Sequence, residues 1–211
     1  MRINKSALNT LIGSALIMIG ALILSLMGLA MQFNFGAEAT MQYLPLILAI
    51  LAAVAVSFLF GWVRYSVAGG ITLGVAVLHD QLLSLALCAV ISMAFGLSSY
   101  APALLIAGVV VSYAFTVPQI RDARHLVRGA AGKTITREDA AIQARDTNRP
   151  LKMAVAIAAI LILLAFFISG NGHMIGAVLP LLTGLLSALV SSCLVTPFVW
   201  AAAPSRSRSR R

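Results

Sequence analysis

Six long apolar blocks, broken by short polar stretches, run along this chain: Ala7 to Met31, Tyr43 to Val63, Val67 to Phe95, Pro102 to Val117, Leu151 to Ser169 and Ile175 to Ala202. A helix rises about 1.5 Å per residue and the hydrocarbon core of a bilayer is about 30 Å thick, so a block of about twenty residues has the length of one crossing. The fourth block is short and the third long. The pattern predicts an all-α polytopic membrane protein with six transmembrane helices. It forms one transmembrane domain over residues 1–203, followed by a polar tail over 204–211.

Composition strengthens that reading. Of 211 residues, 61% are apolar and 10% charged, too few charges to cover the surface of a water-soluble domain. Lipid is the expected solvent.

The net charge of +9 raises nucleic acid as a partner, and the placement of the charges argues against it. All 15 Lys and Arg residues fall in segments that six spans put on one side: Arg2 and Lys5, Arg64, the run from Arg121 to Lys152, and Arg206 to Arg211. The opposite connections, around residues 32–42, 96–101 and 170–174, hold no Lys or Arg, as the positive-inside rule requires of short loops. Both termini are therefore expected in the cytoplasm. The first block is longer than the apolar region of a signal peptide and lacks a small-x-small site before Gln32, so it reads as a mature helix.

The longest polar stretch, Pro118 to Pro150, reads as a cytoplasmic loop. Thr136 followed by Glu138 and Asp139 has the pattern of an N-cap with acidic residues in the first turn, predicting a short helix along the inner membrane surface. Pro118 reads as a helix exit and Pro150 as a first-turn proline. The alternating Ser and Arg of the tail suit disordered chain near lipid headgroups. Cys88 and Cys193 fall inside predicted spans and read as small apolar side chains.

Within the spans, Asp80 stands out as a carboxylate deep in an apolar block, where a charge costs at least about 2.5 kcal/mol. Two readings stay open: a protonatable group working with His79, or a hydrogen-bonded packing residue. Sequence neighbours lie about 100° apart on a helix, so each of the pair is expected to find its partner on another helix. Gly69, Gly70, Gly74 and Gly184 have the small-residue spacing that lets helix backbones approach closely, and Ser191 and Ser192 can bond to the preceding turn or across helices. There is no nucleophile constellation, metal-ligand spacing, phosphate loop or dinucleotide fingerprint, so neither enzymatic activity nor a cofactor is expected.

Residues 60–95, FGWVRYSVAGGITLGVAVLHDQLLSLALCAVISMAF, resemble the second-to-third helix passage of the SecF family: an aromatic-Trp-Arg turn at Trp62 and Arg64, a glycine-rich start at Gly69, Gly70 and Gly74, and a mid-helix His79-Asp80 pair. Gly184 with Ser191, Ser192 and Pro197 resembles the last helix of that family, and Phe33 to Thr40, FNFGAEAT, its stretch after the first helix. The resemblance implies a six-helix bundle of the resistance-nodulation-division type in the bacterial cytoplasmic membrane. Its work would be moving unfolded preprotein on an ion gradient, with a SecD-like partner, at the Sec channel (SecYEG). His79, Asp80 and Arg149 are then the candidate coupling residues, Arg149 standing near the arginine that the family carries before its fifth helix.

The chain departs from the family twice. About ten residues separate the first two blocks where the family carries a periplasmic domain. Phe115, in the run Ser112 to Thr116, stands where the family usually has an Asp, which implies that the partner half supplies that carboxylate. Two rival functions stay open, an independent small-solute transporter and a membrane scaffold that transports nothing.

Overall fold

A computed structural model describes residues 37–94, 107–129, 135–169 and 172–204. The first apolar block, residues 33–36, the middle of the 118–150 stretch at 130–134, and the tail from 205 onward lie outside the described residues.

The protein is all-α. Among the described residues there are α1 (Ala37–Arg64), α2 (Val67–Ala94), α3 (Ala107–Gly129), α4 (Arg137–Ile168), α5 (Gly172–Val190), a π turn (Ser191–Val195) and α6 (Thr196–Ala202), with no strand. The last three follow without a break in the helical backbone. Helix α2 is the hub: α1, α3, α5 and α6 all pack on it, while α3, α4 and α5 pack on one another. Among the described residues, helix α1 packs mainly against α2.

The open surfaces are apolar. Ile47, Leu48, Leu51, Val56 and Leu59 on α1, and Ile157, Ile160, Leu161 and Ile162 on α4, are all more than two-fifths exposed. The interior, by contrast, holds Thr72, His79, Asp80, Gln81, Ser84, Ser112, Thr116, Gln119, Thr183, Ser187 and Ser191, each at most 1% exposed. A chain with leucine outside and serine inside has lipid for its solvent. Among the described residues, Ile47–Arg64, Val67–Cys88 and Leu179–Ala202 are long and apolar enough to cross a bilayer, as expected of a membrane protein.

The helix boundaries expected at the two prolines are corrected. Helix α3 runs through Pro118 to Gly129, and α4 runs for 32 residues through Pro150. A proline removes one ladder hydrogen bond and crowds the preceding turn. Packing beyond each proline outweighs that local cost. Ile120 and Ala123 of α3 and Ala141 and Ala144 of α4 form a buried cluster with Leu73 and Trp200, and it holds the two helices together. The expected surface helix is thus the first turns of a helix about 48 Å long. Its start follows the sequence: the Thr136 hydroxyl accepts from the Asp139 amide at 3.1 Å and donates to the Asp139 carboxylate at 2.6 Å.

Close helix crossings occur where side chains vanish. A Cβ on Gly61 would lie 2.7 Å from the Gly69 carbonyl oxygen, and one on Gly70 would lie 2.7 Å from that of Phe58, so α1 and α2 nearly touch backbone to backbone. A Cβ on Gly69 would meet the Tyr65 Cβ at 2.8 Å, whereas one on Gly74 makes ordinary contact with Phe58 at 3.4 Å. Across the bundle, a Cβ on Gly184 would lie 3.0 Å from the Gly108 Cα. That crossing brings the polar faces of α2, α3 and α5 together.

Candidate functional site

Three polar stripes meet inside the bundle. On α2, Asp80, Ser84 and Cys88 recur every fourth residue; on α5 and the π turn, Thr183, Ser187 and Ser191 do the same; on α3, Ser112, Thr116 and Gln119 follow at four and three. Helical periodicity puts each set on one face, and all nine residues are buried.

Asp80 sits at the junction. The Ser112 hydroxyl of α3 donates to Oδ2 of Asp80, Nδ1 of His79 lies 3.5 Å from Oδ1, and Ser191 of the π turn stands beside the carboxylate with its own hydroxyl donated to the Ala188 carbonyl. The carboxylate thus draws a charge-assisted hydrogen bond from a second helix. The expectation of cross-helix partners for both residues is met by Asp80 alone. His79 turns toward its neighbour, and its Nε2 has no hydrogen-bond partner among the described residues.

About one and two turns along α2, Ser84 Oγ lies 2.8 Å and Cys88 Sγ 3.0 Å from the Thr183 hydroxyl. Ser187 donates to the Thr183 carbonyl at 2.7 Å, and Ser191 and Ser192 donate to Ala188 and Leu189 at 3.3 and 3.1 Å. The π turn begins at these two serines. A π turn widens the helix by one residue and commonly marks a site where a helix changes register.

On the other side of Ser112 the seam takes up a cation. Lys152 of α4, 2% exposed, donates to Oε1 of Gln119 at 2.6 Å, and its ammonium stands 6.0 Å from the ring centroid of Phe115. Both polar atoms of Gln81, and Thr116 Oγ1, Gln119 Nε2 and Thr196 Oγ1, are buried without a hydrogen-bond partner among the described residues. Unpaired polar atoms are few in folded proteins, and a set of them on three helices makes this seam chemically unlike a packed core.

Arg149 is exposed on α4 and makes no hydrogen bond or ion pair among the described residues, so the structure does not join it to His79 and Asp80. Sequence reasoning missed Ser112, Gln119, Lys152, Thr183, Gly61 and Gly108. The stripe spacing carried the signal for the polar residues. For Lys152 the signal was its place in an apolar run, between Leu151 and Met153.

No family model, curated protein or solved structure matches the chain. The likeness to SecF therefore rests on the motifs themselves.

The arrangement has one evident chemical capacity. A mid-span carboxylate with one hydroxyl donor and an imidazole beside it can bind and release a proton. When it is protonated, its charge-assisted bond from Ser112 weakens, and α2 loses part of its grip on α3.

Proposed function

We propose that this chain is the membrane half of an ion-coupled transporter of SecF type. It has six spans with both termini on the cytoplasmic side of a bacterial inner membrane, and it acts with a SecD-like partner to move unfolded polypeptide at the Sec channel. The observation that carries the transport reading is Asp80: fully buried in the middle of a candidate span, bonded by the Ser112 hydroxyl of α3 and set beside His79. Intramembrane carboxylates with such partners belong to ion pathways. The one-sided placement of Lys and Arg supports the topology, and the motifs at 60–95 and 184–197 support the family and the substrate.

In this reading, protonation of Asp80 loosens the junction of α2 and α3, and deprotonation tightens it. The two junction states alternate with the positions of the partner half. Phe115 contributes no proton. Its ring lies beside Lys152, and the second titrating carboxylate comes from the partner.

The test is affinity purification of the tagged chain from native membranes in mild detergent, with mass spectrometry of what accompanies it. SecD-like and Sec-channel subunits are the expected companions. Recovery of the chain alone contradicts the export reading and favours an independent transporter or a scaffold.

A further inference from the structure

Where α1 turns into α2, a cavity of about 690 Å³ opens among the helix ends. Its walls include Trp62 and Tyr65 from the turn, Arg124 and Arg128 from the end of α3, Arg137 from the start of α4, and Trp200 from α6. No carboxylate lines it, and none of the three arginines forms an ion pair among the described residues. A concave site with three guanidinium groups and no counter-charge calls for an anion.

The three arginines are not equivalent. Arg137 is fixed in the wall: its two terminal nitrogens donate to the carbonyls of Ala203 and Trp200 at 2.6 and 2.7 Å, and its guanidinium lies over the Trp200 ring at 4.6 Å. Arg124 spends one nitrogen on the Arg64 carbonyl at 3.2 Å and keeps its other donors free. Burial, then the like charges of Arg128 and Arg64, push its guanidinium below the usual range. An anion in the cavity relieves both. Arg128 is exposed and makes no hydrogen bond among the described residues.

The height of the cavity in the membrane names the anion. Trp62, half exposed, and Val63, 86% exposed, lie in the last turn of the candidate span Ile47–Arg64. The cavity mouth therefore stands where apolar surface gives way to arginine, at the level of lipid phosphates, where Trp side chains gather. Basic pockets at this level hold anionic headgroups.

We propose that this cavity binds the phosphate of an acidic phospholipid, held by Arg124 and Arg128 against the fixed Arg137–Trp200 wall, with the acyl chains passing Trp62 toward the open face of α1. The site is independent of the transport reading and needs only that the chain lies in a membrane.

The test is native mass spectrometry of the purified full chain exchanged into detergent with phosphatidylglycerol, cardiolipin or phosphatidylcholine, and separately with glycerol 3-phosphate or inorganic phosphate. The acidic lipids are expected to stay bound, and phosphatidylcholine is not. Arg128→Gln, which breaks no hydrogen bond within the described protein, is expected to weaken retention by about tenfold or less, and Arg124→Gln with Arg128→Gln by about tenfold or more. Arg145→Gln with Arg149→Gln removes the same charge elsewhere and is expected to leave retention unchanged. Equal retention of phosphatidylcholine, or equal loss in the Arg145 and Arg149 control, overturns the proposal. Displacement of the lipid by inorganic phosphate at matched concentration also overturns it, because the cavity would then be a site for soluble phosphate.

Discussion

The ammonium of Lys152 on α4 lies 2.6 Å from the amide oxygen of Gln119 on α3, and both side chains are buried. The partner is neutral. Taking an ammonium out of water costs several kcal/mol, and an amide dipole with the ring of Phe115 at 6.0 Å offsets part of that. Phe115 thus lies beside a buried cation, at a position where the SecF resemblance leads one to look for an acid.

This geometry orders two substitutions. Lys152→Met keeps the length of the side chain and removes the charge, so the protein is expected to unfold at the same temperature or higher. Gln119→Leu leaves the ammonium without its acceptor and is expected to cost about 1–3 kcal/mol. Thermal unfolding in detergent gives both values, and the reverse order would show that the Lys152 charge is paired elsewhere.

The crossing of α3 and α5 depends on two glycines. A methyl group at Gly184 would sit 3.0 Å from the backbone of Gly108, so Gly184→Ala has to push the helices apart. Overpacking of this kind typically costs about 1–3 kcal/mol. Gly74→Ala, whose methyl group would meet Phe58 at 3.4 Å, is the matched control and is expected to be nearly neutral. Equal destabilisation of the two variants argues against the close crossing.

Cys88 has no exposed surface and lies 3.0 Å from the Thr183 hydroxyl. In a Cys193→Ala background it is expected to resist a membrane-permeant maleimide until denaturant opens the bundle. Rapid labelling of the folded protein would mean that the α2–α5 contact is open in solution.

The sequence displays much of this fold, for physical reasons that differ from place to place. Apolar blocks reveal helices because lipid demands them, and the Thr136 cap is visible because its partner lies three residues away. Asp80 is legible because a charge in an apolar block is costly wherever it occurs. The continuation of α3 and α4 past Pro118 and Pro150 is not legible locally, since it depends on Leu73 and Trp200, far away in the chain. Lys152 was hidden for a similar reason. Counted with the inward-facing positive charges, it is in fact enclosed by α3 and α4, and only the fold decides between a surface lysine and a buried one. His79 and Arg149 differ again: adjacency in sequence holds the first beside Asp80, and nothing in the bundle draws the second toward it.

The most direct test of the central claim replaces the Asp80 carboxyl with an amide of the same shape. In cells whose only copy of the protein carries Asp80→Asn, at a membrane level matched to wild type, export of a secreted reporter preprotein is measured by pulse-chase. The account predicts export falling to the level of cells lacking the protein, because the amide still accepts from Ser112 but cannot cycle a proton. Export at the wild-type rate would contradict it and leave Asp80 as a packing residue.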